Sequence, residues 1–282
     1  MNRCLYCYKE LKEGQIDYHP KCIKAFYGTS EAPALPYRLQ EMEKLAKEAA
    51  EQSITIPGVQ PKLSLGWIKN ELGKGQQSRL TIMDALAGQY ILKPQNTEYP
   101  QIPENEHLSM KLASLLKLDT VPANMIRLSS GELCFITKRI DRNEDGTKNH
   151  MIDFMQILEL EDKYKGNTET LGKTIGNLSV NTLYDKLRFF EVNAFNFVIG
   201  NNDMHLKNFS MIESPSGWVL SPAYDLLNVA IVLPEDVEEL ALTLLGKKRR
   251  INREDFDQSG ESLGLTIKQI NGAWKRMIKN KP

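Results

Sequence analysis

An aspartate stands five residues ahead of an asparagine in Asn202-Asp203-Met204-His205-Leu206-Lys207-Asn208, directly after the apolar stretch Phe195 to Gly200. A second acidic loop, Pro222-Ala223-Tyr224-Asp225, follows a short stretch that reads as a strand pair. If these side chains serve one site, two loops separated in sequence must meet around a single ion, which is a severe demand on a fold. The residue types suit phosphoryl transfer. Asp203 offers a carboxylate to accept a hydroxyl proton, while the amide of Asn208 and the carboxylate of Asp225 could hold Mg2+. The competing reading is a polar loop capped by Asn and Asp, as any globular protein contains.

With 282 residues there is room for two lobes and a small appendage. Lys plus Arg equals Asp plus Glu at 36 each, so net charge gives no drive toward nucleic acid or an anionic membrane. The basic run Lys247-Lys248-Arg249-Arg250 reads better as a solvated turn than as a DNA contact. No window approaches the ~18 apolar residues of a membrane span, and the start of the chain carries cysteines instead of an apolar signal region. The expected location is the cytoplasm.

Three of the four cysteines fall within the first 22 residues. Cys4-x2-Cys7, eleven intervening residues and His19-x2-Cys22 make two close pairs, the spacing of one tetrahedral structural Zn2+. All four positions would come from protein, which leaves no open coordination site for catalysis. The expected form is a zinc ribbon or treble-clef-like module over residues 1–30, dependent on its metal because so small a module lacks a core of its own. Cys134, within the apolar run Leu133 to Ile136, reads as a core thiol.

Thr29 to Pro36 reads as a linker and Tyr37 to Gln52 as a helix. Alternation at Leu63, Leu65 and Trp67, then Tyr90-Ile91-Leu92, predicts strands, and Pro103 to Lys117 predicts a helix. Val121 to Leu128 and Glu132 to Ile140 predict a strand pair around Ser129-Ser130-Gly131. Ile152 to Leu160, Thr182 to Ile199 and Thr266 to Lys279 predict helices. The fold class is α+β: a bilobal, protein-kinase-like arrangement of a small mixed-sheet lobe over residues 31–141 and a larger, mostly helical lobe over 142–282. Nucleotide would lie in the cleft of such a pair.

Within that frame, protein kinases space their catalytic Asp and Mg2+-binding Asn as D-x-x-x-x-N, the spacing of Asp203 and Asn208. The amides of Ser53-Ile54-Thr55-Ile56-Pro57-Gly58-Val59-Gln60-Pro61-Lys62 could cradle phosphates, although one glycine is neither a Walker sequence nor G-x-G-x-x-G. Lys93 ends a short strand, where an ammonium could reach the α- and β-phosphates. The next helix offers Glu106 or Glu104 as its partner. The backbone of Lys138, Arg139 and Ile140 stands where a hinge would bond adenine.

Together these stretches resemble the HipA-like serine/threonine kinases, toxin components of bacterial toxin–antitoxin systems. Gly58-Val59-Gln60-Pro61-Lys62, Ile91-Leu92-Lys93-Pro94, Asn105-Glu106, Lys138-Arg139-Ile140-Asp141-Arg142, Asn202 to Ser210 and Leu220 to Asp225 occur in order over roughly four-fifths of the chain. The resemblance implies ATP and Mg2+ as cofactors, Asp203 as base, Asn208 and Asp225 as Mg2+ ligands and Lys93 on the phosphates. His205, Lys207 and Asn208 would line the nucleotide, together with Thr55, Gly58, Val59, Gln60 and Lys62. Ser53 and Thr55 lie in what resembles the family's autophosphorylated loop, and the pair is similar to that of the short HipT toxins.

By resemblance the substrate would be a protein such as an aminoacyl-tRNA synthetase. Partners would be an antitoxin, through which alone DNA is reached, and a separate small protein that replaces the family's amino-terminal subdomain. Two other readings compete with this one: a small-molecule kinase, and a non-catalytic interaction protein that uses the zinc module.

Overall fold

The computed structural model describes residues 2–42, 44–45, 62–68, 78–83, 88–96, 98–143 and 145–279. Ser53, Thr55, Gly58, Val59 and Gln60 lie outside these residues. The chain divides into two compact units, Met1–Leu108 with Val121–Ile140, and Ser109–Thr120 with Asp141–Pro282.

The first unit is built on a five-stranded sheet of β1 (Leu63–Ile68), β2 (Arg79–Ile82), β3 (Tyr90–Lys93), β4 (Ala123–Arg127) and β5 (Leu133–Lys138), in the order β2-β1-β3-β5-β4. These pairings are antiparallel, and a parallel bridge from Ala34 to Arg79 lengthens the β2 edge. Alternation explains the core. Leu63, Leu65, Leu80, Leu92, Cys134 and Ile136 are buried on the pleated strands. Between β4 and β5 the turn at Ser129-Ser130-Gly131 is tight, with Gly131 at φ +107° supplying the backbone that other residues resist.

Helix α1 (Pro20–Tyr27) starts with proline in its first turn and stops at Gly28, whose left-handed backbone caps it. Its Cys22, Phe26 and Tyr27, with Cys4, Leu5, Leu11 and Tyr18, belong to the same hydrophobic core as the sheet. Residues 1–30, expected to form the zinc module, are packed onto β4. The Tyr18 hydroxyl donates to the Met125 carbonyl, and Arg127 grips Asp17 at 2.8 Å. The expected linker is stitched down too: Ala34 N–H donates to the Ser78 carbonyl at 2.8 Å, and Leu35 is buried. Of the helix expected from Tyr37, residues 39–42, 44 and 45 are helical. Helix α2 (Ile102–Leu115) joins β3 to β4 in sequence.

In the second unit, α4 (Thr168–Leu178), α5 (Thr182–Ile199), α7 (Arg253–Ser262) and α8 (Ile267–Lys279) are the main helices. Phe189, Phe190, Ala194 and Phe195 bury α5, with Phe256 of α7 and Trp274 of α8 edge-on to Phe190. A three-stranded antiparallel sheet of β6 (Met151–Asp153), β7 (Ser210–Ser214) and β8 (Gly217–Leu220) lies in the same unit. The helix expected over 152–160 is corrected. Ile152 pairs with Met211 as strand β6, and only the turn α3 (Phe154–Ile157) is helical. Asp153 decides the boundary, because its carboxylate accepts from Gln156 N–H at 2.9 Å and caps the turn. Helix α6 (Val229–Val232) is a single turn. No helix among the described residues is long and apolar enough to cross a membrane.

Candidate active site

Helix α5 delivers the catalytic-loop candidates. It ends at Gly200, whose φ of +72° turns the chain. A Cβ there would stand 3.0 Å from the Ala230 Cβ and 3.3 Å from Asn228 Oδ1, so glycine suits both the left-handed backbone and the tight space. Asn201 donates to Asn196 Oδ1 at 2.8 Å and to the Asp225 carbonyl at 3.3 Å, tying the loop both to its helix and to the second acidic segment. Asn202 donates to Asp236 Oδ2 and the Glu238 carbonyl, each at 3.0 Å.

The loop then folds around the Asp203 carbonyl, which accepts from His205 N–H at 2.9 Å and from Asn208 Nδ2 at 3.1 Å. That bond uses the amide nitrogen of Asn208. Its Oδ1 accepts no hydrogen bond from a described residue, which leaves both lone pairs open to a cation. Residues Leu206–Asn208 form a 3-10 turn, and Lys207 Nζ lies 3.5 Å from Asp153 Oδ2. The ring of His205 meets that of Tyr164 edge-on, and the Tyr164 hydroxyl reaches Asp203.

Chain doubling between Asn208 and Asp225 is achieved by the β7–β8 hairpin. Met211 faces Leu220, and Ser221 N–H donates to the Ser210 carbonyl at 2.9 Å. Tyr224 then closes the arrangement, bonding Ser210 Oγ at 2.6 Å and donating to the Lys207 carbonyl at 3.0 Å. Burial pushes the Tyr224 phenol well above its ordinary pKa, and the carboxylates of Asp225 and Asp153 add to the rise. Asp225 itself sits at φ +56°, a left-handed conformation that costs a non-glycine residue energy and that surrounding structure must enforce.

Within the first unit, Lys93 Nζ pairs with Glu106 Oε1 at 2.6 Å, both side chains nearly inaccessible to solvent. Glu104 is engaged elsewhere, accepting from Gln95 Nε2 at 2.9 and 3.0 Å. Lys93 also lies 5.4 Å from the centre of the Phe135 ring. At the expected hinge, Lys138 N–H donates to the Pro122 carbonyl at 3.0 Å and Arg139 N–H to the Gln89 carbonyl at 2.9 Å. Of the three hinge N–H groups, only that of Ile140 lacks a hydrogen bond to a described residue. Lys62 is exposed just before β1.

The ligand atoms of Cys4, Cys7, His19 and Cys22 all lie within 4.8 Å of one another. His19 Nδ1 is 3.4 Å from the Cys7 sulfur and 3.7 Å from the Cys22 sulfur. Nε2 lies 2.9 Å from the Glu10 carbonyl, which fixes the tautomer that presents Nδ1 to a metal. With Zn–S bonds of about 2.3 Å, tetrahedral ligands lie roughly 3.8 Å apart, so this donor set fits zinc. All four cysteines are free.

Sequence reasoning missed two residues of consequence. Tyr164, in an exposed-looking Asp-Lys-Tyr-Lys-Gly loop, carries no signal of its contact with Asp203. Buried Asp185 accepts from Ser179 Oγ at 2.6 Å, Leu220 N–H at 2.7 Å and Arg188 Nη1 at 3.2 Å, and so anchors the end of β8. Its place in the first turn of α5 reads merely as a partner for the helix dipole.

Residues 54–282 match the model of the HipA-like C-terminal domain. The chain belongs to this family. The HipA-like chain is 30% identical over 299 aligned positions to a "Putative kinase" of Haemophilus influenzae, covering 94% of this chain and 84% of that one. It is 26% identical over 207 positions to the serine/threonine-protein kinase toxin HipA of Shewanella oneidensis, covering 66% of this chain and 45% of the toxin. Among solved structures, the Shewanella oneidensis toxin–antitoxin complex of HipA, HipB and operator DNA contains a chain with the same fold. Its TM-score is 0.67 at 19% identity, over 95% of the present chain and 71% of that one. The likeness establishes the α+β kinase-type fold.

Proposed function

We propose that this HipA-like protein is an ATP- and Mg2+-dependent serine/threonine protein kinase that modifies itself at Ser53 or Thr55. One observation carries the reading. Tyr224–Lys207 and Asn201–Asp225 bonds tie the Asp203–Asn208 loop to the Asp225 segment, which supports a shared role for Asp203, Asn208 and Asp225.

Bound Mg2+ supplies charge neutralisation on the β- and γ-phosphates. The protein supplies placement. Asn208 Oδ1 and the Asp225 carboxylate would hold the cation, Lys93 would contact the phosphates with Glu106 fixing its rotamer, and the Ile140 N–H would be the hinge donor. Asp203 accepts the proton of a serine or threonine hydroxyl as its oxygen bonds to the γ-phosphorus. The bond from that phosphorus to the β,γ-bridging oxygen breaks, and the electron pair leaves with ADP. The rate gain is chiefly positioning and electrostatics.

A phosphate on Thr55 or Ser53 adds about −1.5 to −2 charge near neutral pH, so its repulsion of ATP phosphates makes the modification self-limiting. The protein substrate is a translation enzyme such as an aminoacyl-tRNA synthetase. An antitoxin and a separate small subdomain-like protein are the proposed partners, by kinship to the toxin.

Intact-mass measurement of wild type beside Asp203→Gln, with and without ATP and Mg2+, tests the reading. The expected result is a phosphate-sized gain in wild type alone. Equal gain in both proteins would remove Asp203 from its role, and labelled small molecules without labelled protein would favour a metabolite kinase.

A further inference from the structure

One contact between the Cys/His module and the residues read as nucleotide contacts runs through Tyr8. Tyr8 directly follows Cys7, and its N–H donates to the Cys4 carbonyl at 2.9 Å, closing the knuckle of the first cysteine pair. Its backbone is left-handed at φ +60°, and Arg3 Nη1 holds its carbonyl at 3.0 Å. A non-glycine residue keeps such a conformation only where its surroundings impose it. Here the knuckle sets the direction of the ring. That ring packs 5.2 Å from the ring of His107, and the hydroxyl shares a 2.6 Å hydrogen bond with His107 Nδ1. His107 is buried on α2, adjacent in sequence to Glu106, the partner of Lys93.

Neighbouring residues of a helix point about 100° apart, so a prop on residue 107 fixes the rotation that aims residue 106. Side chains extend roughly 5–6 Å from a helix axis, and a rotation of about 20° would carry the Glu106 carboxylate ~2 Å. That displacement is comparable to the whole 2.6 Å length of its bond to Lys93.

We infer that the Cys4–Cys7–His19–Cys22 module, through Tyr8 and His107, holds α2 in the rotation that keeps Glu106 on Lys93, so that metal occupancy governs nucleotide affinity. The inference rests on the reading of Lys93 as the phosphate contact. The module has a second attachment, in which Asp17 and Tyr18 anchor it to β4. Removing the metal therefore loosens the Cys4–Cys7 knuckle and Tyr8 while the rest of the unit stays packed.

Titration of a fluorescent ATP analogue tests this, with metal content and melting curves measured on the same samples. Tyr8→Phe removes one hydroxyl, keeps the metal and melts like wild type. It weakens analogue binding roughly five- to tenfold, the size of one lost buried hydrogen bond. Stripping metal from wild type weakens binding at least as much, and adding Zn2+ restores it. Stripping Tyr8→Phe adds little, since both changes act through one link.

Wild-type affinity in Tyr8→Phe, unchanged affinity in the stripped protein, multiplicative losses or a purified chain without metal would each overturn the inference. If Tyr8→Phe melts early, the fall and recovery of binding in wild type decide alone. Lys93→Met separates the two claims. Weak binding there beside normal binding in Tyr8→Phe sinks only the prop, whereas normal binding in Lys93→Met sinks the phosphate role itself.

Discussion

Asp203 Oδ1 accepts a 2.7 Å hydrogen bond from the hydroxyl of Tyr164. Burial and the neighbouring Asp203 carboxylate push that phenol far above its usual pKa, with Asp162 and Asp236 adding to the effect, so it donates throughout the working pH range. One carboxylate oxygen is thereby fixed, and on the proposed reading Oδ2 would meet the acceptor hydroxyl. Tyr164→Phe should lower kcat by about tenfold, in line with lost orientation of a general base, while the KM for ATP stays within about twofold. Initial rates on the autophosphorylation reaction check it. A rise in rate would mean that the phenol obstructs the acceptor instead of orienting the base.

The strained backbone of Asp225 allows its chemistry to be separated from its conformation. Asparagine tolerates left-handed φ about as well as aspartate, so Asp225→Asn keeps the turn and removes one negative charge from the proposed cation site. Phosphorylation should fall by roughly two to three orders of magnitude, and the Mg2+ concentration for half-maximal rate should rise. Melting temperature should hardly move. An undiminished rate at low Mg2+ would exclude the carboxylate as a ligand.

Lys93 and Glu106 form a buried pair, for which removal of one partner is worse than removal of both. Glu106→Gln removes the carboxylate that the buried Lys93 ammonium faces beside Phe135 and should cost about 3–5 kcal/mol of stability. Lys93→Met combined with Glu106→Gln should regain most of that loss without regaining phosphorylation. Denaturant unfolding of the two single variants and the double variant measures the coupling. Additive stability losses would show that the two groups do not interact in solution.

The legible parts of this protein are those whose chemistry and geometry are local. Alternation at Leu63, Leu65 and Leu92 marks strands because burial of one face acts over neighbouring residues. The spacing of Asp203 and Asn208 is equally local, since one short loop folds around the Asp203 carbonyl. Ile152 reads as helical because its strand partner Met211 is distant in sequence, and a three-residue strand capped by Asp153 presents the same apolar residues as a helical turn. Tyr164 and Asp185 escaped for the same reason. Their meaning lies in Asp203 and Leu220, contacts that only the folded chain makes. The amino-terminal module was legible as a donor set, but its docking was not. Asp17, Tyr18 and Phe26 look like ordinary residues of a small finger until β4 and its neighbours are present to receive them.

The four thiols should divide into two classes on reagent titration. Cys4, Cys7 and Cys22 belong to the Cys/His cluster that could hold a metal ion, whereas Cys134 is fully buried on β5, where burial raises its thiol pKa to about 12. Thiolate is the reacting form, so at pH 8 such a thiol is ionised only about one part in ten thousand. The sign follows directly: a raised pKa keeps Cys134 protonated and inert until pH approaches 12 or the protein unfolds. In native, metal-loaded protein a disulfide reagent at pH 8 should find no rapidly reacting cysteine. Chelation should release the cluster thiols, Cys22 the slowest of the three because burial raises its pKa to about 12 as well, and denaturant the fourth, accounting for all four free cysteines. Release of all four by the chelator alone would mean that the metal cluster and the sheet core melt together. Three rapid equivalents before chelation would mean that no metal is held.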